Sequence, residues 1–498
     1  MLDLLAMAFN CDTICKLYFD VSIKSFARVL IPCALAASGS GLVLASDPIT
    51  SQIADPNKVS DGYLFWHQSD ELRTDVDNVS LLTDARGQLV HIWKTDLTGG
   101  GTPAYLMETG GVARVGVKDL AYSRGGPVAS TDTLQFTDRH GNALWELNAQ
   151  DFDGIRFHHD FALMKNGNVL VTTYEPLSAQ EALNIGWDPG DQSTIWTDGI
   201  LEIKPFTDTG DYEVVWHWRF ADHIVQDKFP DQPNYGVIAD TPHRVDPHYP
   251  KNYLPKNTVR QHINSLDYNE ELDQILLSSL IYDEIWIIDH STSTEEAASS
   301  HGGKSGKGGD LLFRFGNPEV YDRGGPEDRV FLKQHDANWI SPGLPGSGNI
   351  LVHNNNTRFK PRGLGAPQQG ASTNGTDAPR AGRELLASNQ GNSNVYELRP
   401  TREGVANYGP NLDGVFQAET VWVFEHEDYF ADFQGGARRL PNGNTLLTDT
   451  TDYLVVEVDP RGDIVARYQG ATPVFKAFKY SANFVSPLID RGVVEASD

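Results

Sequence analysis

Three short stretches set a histidine beside an aspartate or asparagine, each just ahead of an apolar, strand-like run. They are "FLKQHDANWI" from Phe331, "RFHHDFALMKNGNVLV" from Arg156 and "VRQHINSLDYNEELDQILLSS" from Val259. Near neutral pH an imidazole can serve as nucleophile, base or metal ligand, and an acid or amide beside it can fix which ring nitrogen carries the proton. His335, between Gln334 and Asp336 and close to Trp339, is the strongest candidate for a nucleophile or base. In extended backbone only every second side chain faces one way, so at most one of His158 and His159 points into a common space. His262 and Asn264 are two apart, and in extended backbone they share a side. Taken singly, each histidine is as readily explained as a structural residue. Taken together, three such elements suggest one convergent site.

Arg438 and Arg439, in "FQGGARRLPNGNTLL", precede an Asn-Gly turn as the His-Asp element does in "HHDFALMKNGNVLV". If the histidines line a channel, an arginine can line it too, and a guanidinium clamps sulfate or carboxylate well. The plain alternative is surface ion pairing. Tyr282 offers a hydroxyl toward the same channel, and Asn354 is grouped with these residues as substrate-binding. Three histidines and an aspartate also suit zinc, copper or iron. The chain has neither an HExxH helix nor a tight His-x-His pair, so neither a catalytic metal nor any required cofactor is expected. Acidic turns elsewhere could hold a structural calcium ion.

Recurring devices supply the elements that must position these side chains. "KNGNVLV", "GSGNILV" and "PNGNTLL" each join a tight turn to a short strand. "GILEIKP", "EIWIIDH", "NVYELRP" and "YLVVEVDP" alternate apolar and polar residues and end at a turn. A third device runs turn, Gly, apolar, aromatic, as in "TDRHGNALWEL". About six such units fall between residues 60 and 475, which predicts an all-β chain folded as a six-bladed β-propeller with a small N-terminal β extension. Two stacked β-sandwiches are the alternative. The stretches 290–330 and 356–393 read as long loops.

The chain has 498 residues, 40% hydrophobic and 10% aromatic, with 46 Gly and 27 Pro. A net charge of −27 argues against nucleic acid as a partner and offers no basic patch to a membrane surface. Residues 1–45 resemble a secretory signal, with Lys24 and Arg28 ahead of an apolar run and small residues Val43 and Ala45 before Ser46. An uncleaved anchor is the alternative, though Pro32 and the Gly and Ser breaks suit a membrane span poorly. Cleavage leaves a propeller domain over 46–498, periplasmic or secreted and without stable membrane contact. Cys11, Cys15 and Cys33 all lie in the removed part, which excludes thiol chemistry and Cys-ligated zinc.

In their order and spacing, "HHDFALMKNGNVLV", "HINSLDYNEELDQILLSS", "EIWIIDHST", "GGDLLFRFGNP", "QHDANWISPGLPGSGNILV" and "GARRLPNGNTLL" resemble the bacterial arylsulfotransferases that work without nucleotide sulfate. The resemblance spans residues 60–475 and implies a six-bladed propeller. It also implies ping-pong transfer of a sulfuryl group from an aryl sulfate to a phenol, both small molecules. The family's Gln-His nucleophile matches His335. Its His-x-Asn pair matches His262 and Asn264, and its first histidine matches His158 or His159. This chain departs from the pattern at Leu280, where the family carries an arginine. Arg438, where relatives commonly have Gln, is the expected substitute. Two rivals remain at this point: a polysaccharide lyase using His, Tyr and Arg on uronate polymers, and a ligand-binding propeller without catalysis.

Overall fold

The computed structural model describes residues 49–489 apart from 69–77, 100–101, 251–258, 357–392, 405–406, 428 and 432. The signal-like segment 1–45 and most of the loop 356–393 lie outside the described residues. Six small antiparallel sheets form the six blades of a propeller.

Blade 3 contains, from the axis outward, Arg156–Leu163, Val169–Ser178, Thr194–Phe206 and Asp211–Arg219, with the short strand Ser130–Thr131 paired to the free edge of Arg156–Leu163. Blade 4 contains Ile263–Asn269, Gln274–Ser279, Glu284–Asp289 and Phe313–Phe315. Blade 5 contains His335–Trp339, Ile350–Asn354, Asn394–Pro400 and Ala418–Glu425. Blade 6 begins at Gly436–Arg439, and blade 2 at Ala104–Leu106. Middle strands such as Gln274–Ser279 are buried throughout, being covered on both faces by neighbouring blades, whereas the outer strand Asp211–Arg219 is largely exposed.

Both ends of the chain close the ring. Thr50–Ile53 adds an outermost strand to blade 6, and Ala477–Tyr480 becomes the innermost strand of blade 1, paired to Tyr63–Gln68. The small N-terminal β extension thus joins blade 6 as its outermost strand. The stretch 290–330 is not simply a loop. It carries a helical turn, Thr294–Ala297, capped by Ser293, and then the outer strand of blade 4. Buried tryptophans hold the segment down, since Trp216 Nε1 donates to Thr292 and Trp218 Nε1 to the Gly309 carbonyl.

Two of the repeated devices turn out to be one mechanism. The turn asparagines Asn168, Asn349 and Asn444 donate to Glu202, Glu397 and Glu457 on the third strands of blades 3, 5 and 6, at 2.5, 2.5 and 2.6 Å. A buried carboxylate thus finds its donor within its own blade.

Neighbouring inner strands are joined by side chains instead of a backbone ladder. Asp160 of blade 3 accepts from the Leu266 amide (2.8 Å), and Asp267 of blade 4 from the Trp339 amide (2.8 Å). Asp336 of blade 5 accepts from the Ala437 amide of blade 6 at 3.1 Å. Each blade in this half of the ring offers a carboxylate to the otherwise unpaired N–H of the next. Gly436 permits the last of these contacts, since a Cβ there would stand 2.3 Å from the Asp336 carboxylate.

Candidate active site

The inner strands of blades 3, 4 and 5 are all irregular at the same level. Register breaks between Phe157 and Phe161, Ile263 and Ser265, and His335 and Asn338. Left-handed backbone occurs at His159 (φ 45°), His262 (52°) and Asp336 (51°). Such conformations cost about 1–3 kcal/mol each outside glycine, so surrounding packing must impose them. They also overturn the extended-strand assumption for His262 and Asn264. His262 precedes the strand, while Asn264 turns away and donates its amide to the Gln334 carbonyl at 2.8 Å.

The result is a layer of imidazoles on the axis. The His159 and His262 rings lie 4.6 Å apart. His158 stacks flat on Tyr174 at 3.6 Å and sets its Nδ1 2.9 Å from His159 Nδ1. Asp198 Oδ1 lies 3.3 Å from His158 Nε2. Both Asp198 oxygens also accept backbone amides, from Ile263 and His262. An ionised Asp198 on that side places the His158 proton on Nε2, and His159 then donates through Nδ1 and keeps a lone pair on Nε2; burial lifts the Asp198 carboxyl well above its ordinary range. Tyr174 agrees: its hydroxyl donates to the Val128 carbonyl and leaves its oxygen, 3.4 Å from His159 Nδ1, as an acceptor.

The tautomer of His335 follows from a more complete set of bonds. Asn355 donates its amide N–H groups to the carbonyls of Ala431 (2.8 Å) and Gln434 (2.7 Å), which fixes its Oδ1 as an acceptor. That oxygen lies 2.6 Å from His335 Nδ1, and the Lys333 carbonyl lies 3.1 Å from it. His335 Nδ1 therefore carries the proton, and Nε2 carries the lone pair. Burial pushes His335 down to about 4, against the pull of Asn355. Burial, with His335 and Lys333 adding to it, takes His262 to about 3. His158 and His159 are held well below the usual imidazole range, again chiefly by burial. All four rings are neutral at neutral pH.

An ion-paired layer adjoins the imidazoles. Lys476 bridges Asp160 (2.6 Å) and Asp336 (2.9 Å), and Tyr105 donates to Asp160 at 3.0 Å. Arg438 grips Asp336 with two bonds of 2.5 and 2.8 Å. Burial would lift the Asp336 carboxyl, but Arg438 and Lys476 outweigh it and hold Asp336 below its ordinary range. Burial prevails at Asp267, which rises to about 6.

Of the residues singled out from sequence, the fold brings His158, His159, His262 and His335 together, with Arg438 next to them but engaged. Arg439 points elsewhere, pairing with Glu397 at 2.5 Å. Tyr282 is wholly buried between Phe220, Tyr249 and Trp286 and donates to the Asp246 carbonyl, so it does not offer its hydroxyl to the channel. Asn354 is consumed by the Leu332 amide and by Asn394. Asn355, Asp198, Lys333 and Lys476 were not anticipated. A lysine inside the apolar run "PVFKAF" was the available signal for Lys476; Lys333 and Asn355 carried none beyond sequence proximity to His335 and Asn354. Among the described residues no three His, Cys, Asp or Glu side chains are grouped to hold a metal ion, and no helix is long and apolar enough to cross a membrane.

Fold and site together define a six-bladed propeller whose axis carries neutral imidazoles beside a compensated ionic layer. The chain belongs to the arylsulfotransferase (ASST) family, whose model matches residues 131–471, and its activity is of that transferase type. No curated protein matches it. Similar solved structures include a protein of unknown function from Bacteroides caccae, 11% identical, covering 84% of this chain and 98% of that one at a TM-score of 0.40. A protein from Lactobacillus plantarum is 9% identical, covering 84% and 100% at a TM-score of 0.39. A putative 6-phosphogluconolactonase from Bacteroides fragilis is 10% identical, covering 88% of each chain at a TM-score of 0.37.

Proposed function

We propose that the protein transfers a sulfuryl group from an aryl sulfate to a phenol in two steps through His335. The observation that carries this reading is the fixed tautomer. With Nδ1–H given to Asn355, the lone pair of Nε2 is available, and burial keeps it unprotonated. In the first step Nε2 attacks sulfur, the N–S bond forms and the S–O bond to the aryl group breaks. The product is a sulfo-imidazolium whose positive charge is shared with Asn355 through Nδ1–H, while the phenolate leaves and takes a proton from solvent. In the second step the acceptor's oxygen attacks sulfur, its proton passes to His159 Nε2, and His335 leaves as neutral imidazole. His159 then returns the proton to solvent. Neutral rings suit this order of events, because a protonated His335 has no lone pair to attack with.

The lyase alternative needs a free tyrosine hydroxyl and a free guanidinium. Tyr282 and Arg438 are both committed elsewhere, so nothing favours it. Secretion to the periplasm or beyond, and the absence of a required cofactor, remain part of the proposal.

The test is mass spectrometry of protein quenched after exposure to p-nitrophenyl sulfate without acceptor. A sulfuryl adduct on the peptide carrying His335, absent in His335→Asn, is expected. Nitrophenolate release in the presence of a phenol, with no adduct at His335, overturns the two-step route.

A further inference from the structure

We propose that Lys333 is the cationic residue that binds the sulfate oxygens at this site. This rests on the sulfuryl-transfer reading and names the charge that reading lacks.

The developing charge of sulfuryl transfer spreads over three oxygens and calls for a positive group beside the nucleophile. Among the described residues, three cations approach the imidazole layer. Lys476 is neutralised between Asp160 and Asp336, and Arg438 is held by Asp336 through two bonds. Lys333 differs in its position and its attachments. It lies two residues before His335, and its carbonyl is 3.1 Å from His335 Nδ1. Its ammonium reaches blade 4 and donates to the Leu280 carbonyl at 3.0 Å; the Leu280 amide in turn donates to the His262 carbonyl at 3.1 Å. One lysine is thus tied to the His335 ring through its own carbonyl and, by way of Leu280, to the backbone of His262.

The anchoring is built in detail. Lys333 has left-handed backbone (φ 60°), and Asp283 accepts both its amide (2.9 Å) and its ammonium (3.1 Å). Asp283, itself left-handed (φ 55°), is tied in turn to Arg329 at 2.9 Å. An ammonium has three donors. Two go to Leu280 and Asp283, and the third has no protein partner among the described residues. The side chain is 12% exposed, against 0% for Arg314 in its core pair with Glu284. Its charge is felt at both rings, since Lys333 helps to lower His262 and, after burial, His335. The ammonium therefore sits against residue 280, where the sequence itself supplies only a leucine.

Inorganic sulfate is the probe. Calorimetric titration of the full chain should give a dissociation constant that rises about tenfold or more in Lys333→Met and stays within about threefold in Lys333→Arg. Lys333→Gln supplies the same reading if the methionine variant does not fold. Sulfate affinity unchanged by loss of the ammonium, or no sulfate binding by the parent protein, overturns the assignment. The His335→Asn variant separates the two ideas. If it binds sulfate in a Lys333-dependent way while the parent forms no adduct at His335, the covalent route falls and the anion site stands.

Discussion

At the scale of single residues, the site is governed by which nitrogen holds each proton. His335 is neutral because burial lowers it to about 4. An unperturbed imidazole titrates near 6.5. The proposed transfer should therefore persist at pH 5.5 and be lost only as pH falls through about 4, which a pH profile of kcat/KM would reveal. A profile falling through 6.5 would show that the nucleophile is not so buried. The same shift bears on stability with a definite sign. Between about 6.5 and 4 the unfolded chain binds a proton at this position and the folded chain refuses it, so stability declines as pH drops through that window. His159 and His158, though adjacent, should behave differently. His159→Gln removes the proposed base and should slow the acceptor half-reaction by about 10²–10⁴. His158→Phe preserves the stack on Tyr174 and loses only the partner that orients His159, so rapid-quench kinetics should show a smaller effect on that step.

Within a blade, the informative contacts are those that satisfy buried charge locally. In blade 4, Glu284 and Arg314 are both fully buried, joined at 2.6 Å, and Trp286 Nε1 adds a bond to the same carboxylate at 2.9 Å. Arg314→Met leaves Glu284 without its counter-charge and should lower stability by about 3–5 kcal/mol in denaturant titration. The repeated alternating segments made such strands legible in the sequence, as did the turns that end in Asn. What could not be read was their pairing, that Asn444 meets Glu457 or Asn168 meets Glu202, because that depends on the register of three strands. The histidines were legible as a set for a similar reason: their types and order survive without coordinates. Their orientations were not. An alternation rule places His262 beside Asn264, and a single left-handed residue undoes it. Lys333 was overlooked because an isolated lysine carries no pattern. Its importance comes from a carboxylate some fifty positions earlier in the chain.

The molecule as a whole depends on closing its ring with both chain ends. The innermost strand of blade 1 is Ala477–Tyr480, and Lys479 within it pairs with Glu457 in a setting with no exposure. A chain ending at residue 475 loses that strand and Lys476 together. It should lack a cooperative thermal transition and enter aggregates, as followed by calorimetry and light scattering. Removing residues 50–54 takes away an outer strand of which only Ile53 packs on the core, so a lower melting temperature with a folded product is expected instead.

Lys476 also has a temporal side. The carboxylates it neutralises, Asp160 and Asp336, are made 316 and 140 positions before it. Until residue 476 is made, Asp160 has no ammonium to meet and Asp336 has only Arg438, so burying the two acids against one another is unfavourable. The centre of the wheel can lock only after residue 476 has been made, so a chain cut short of it cannot be mistaken for a finished one.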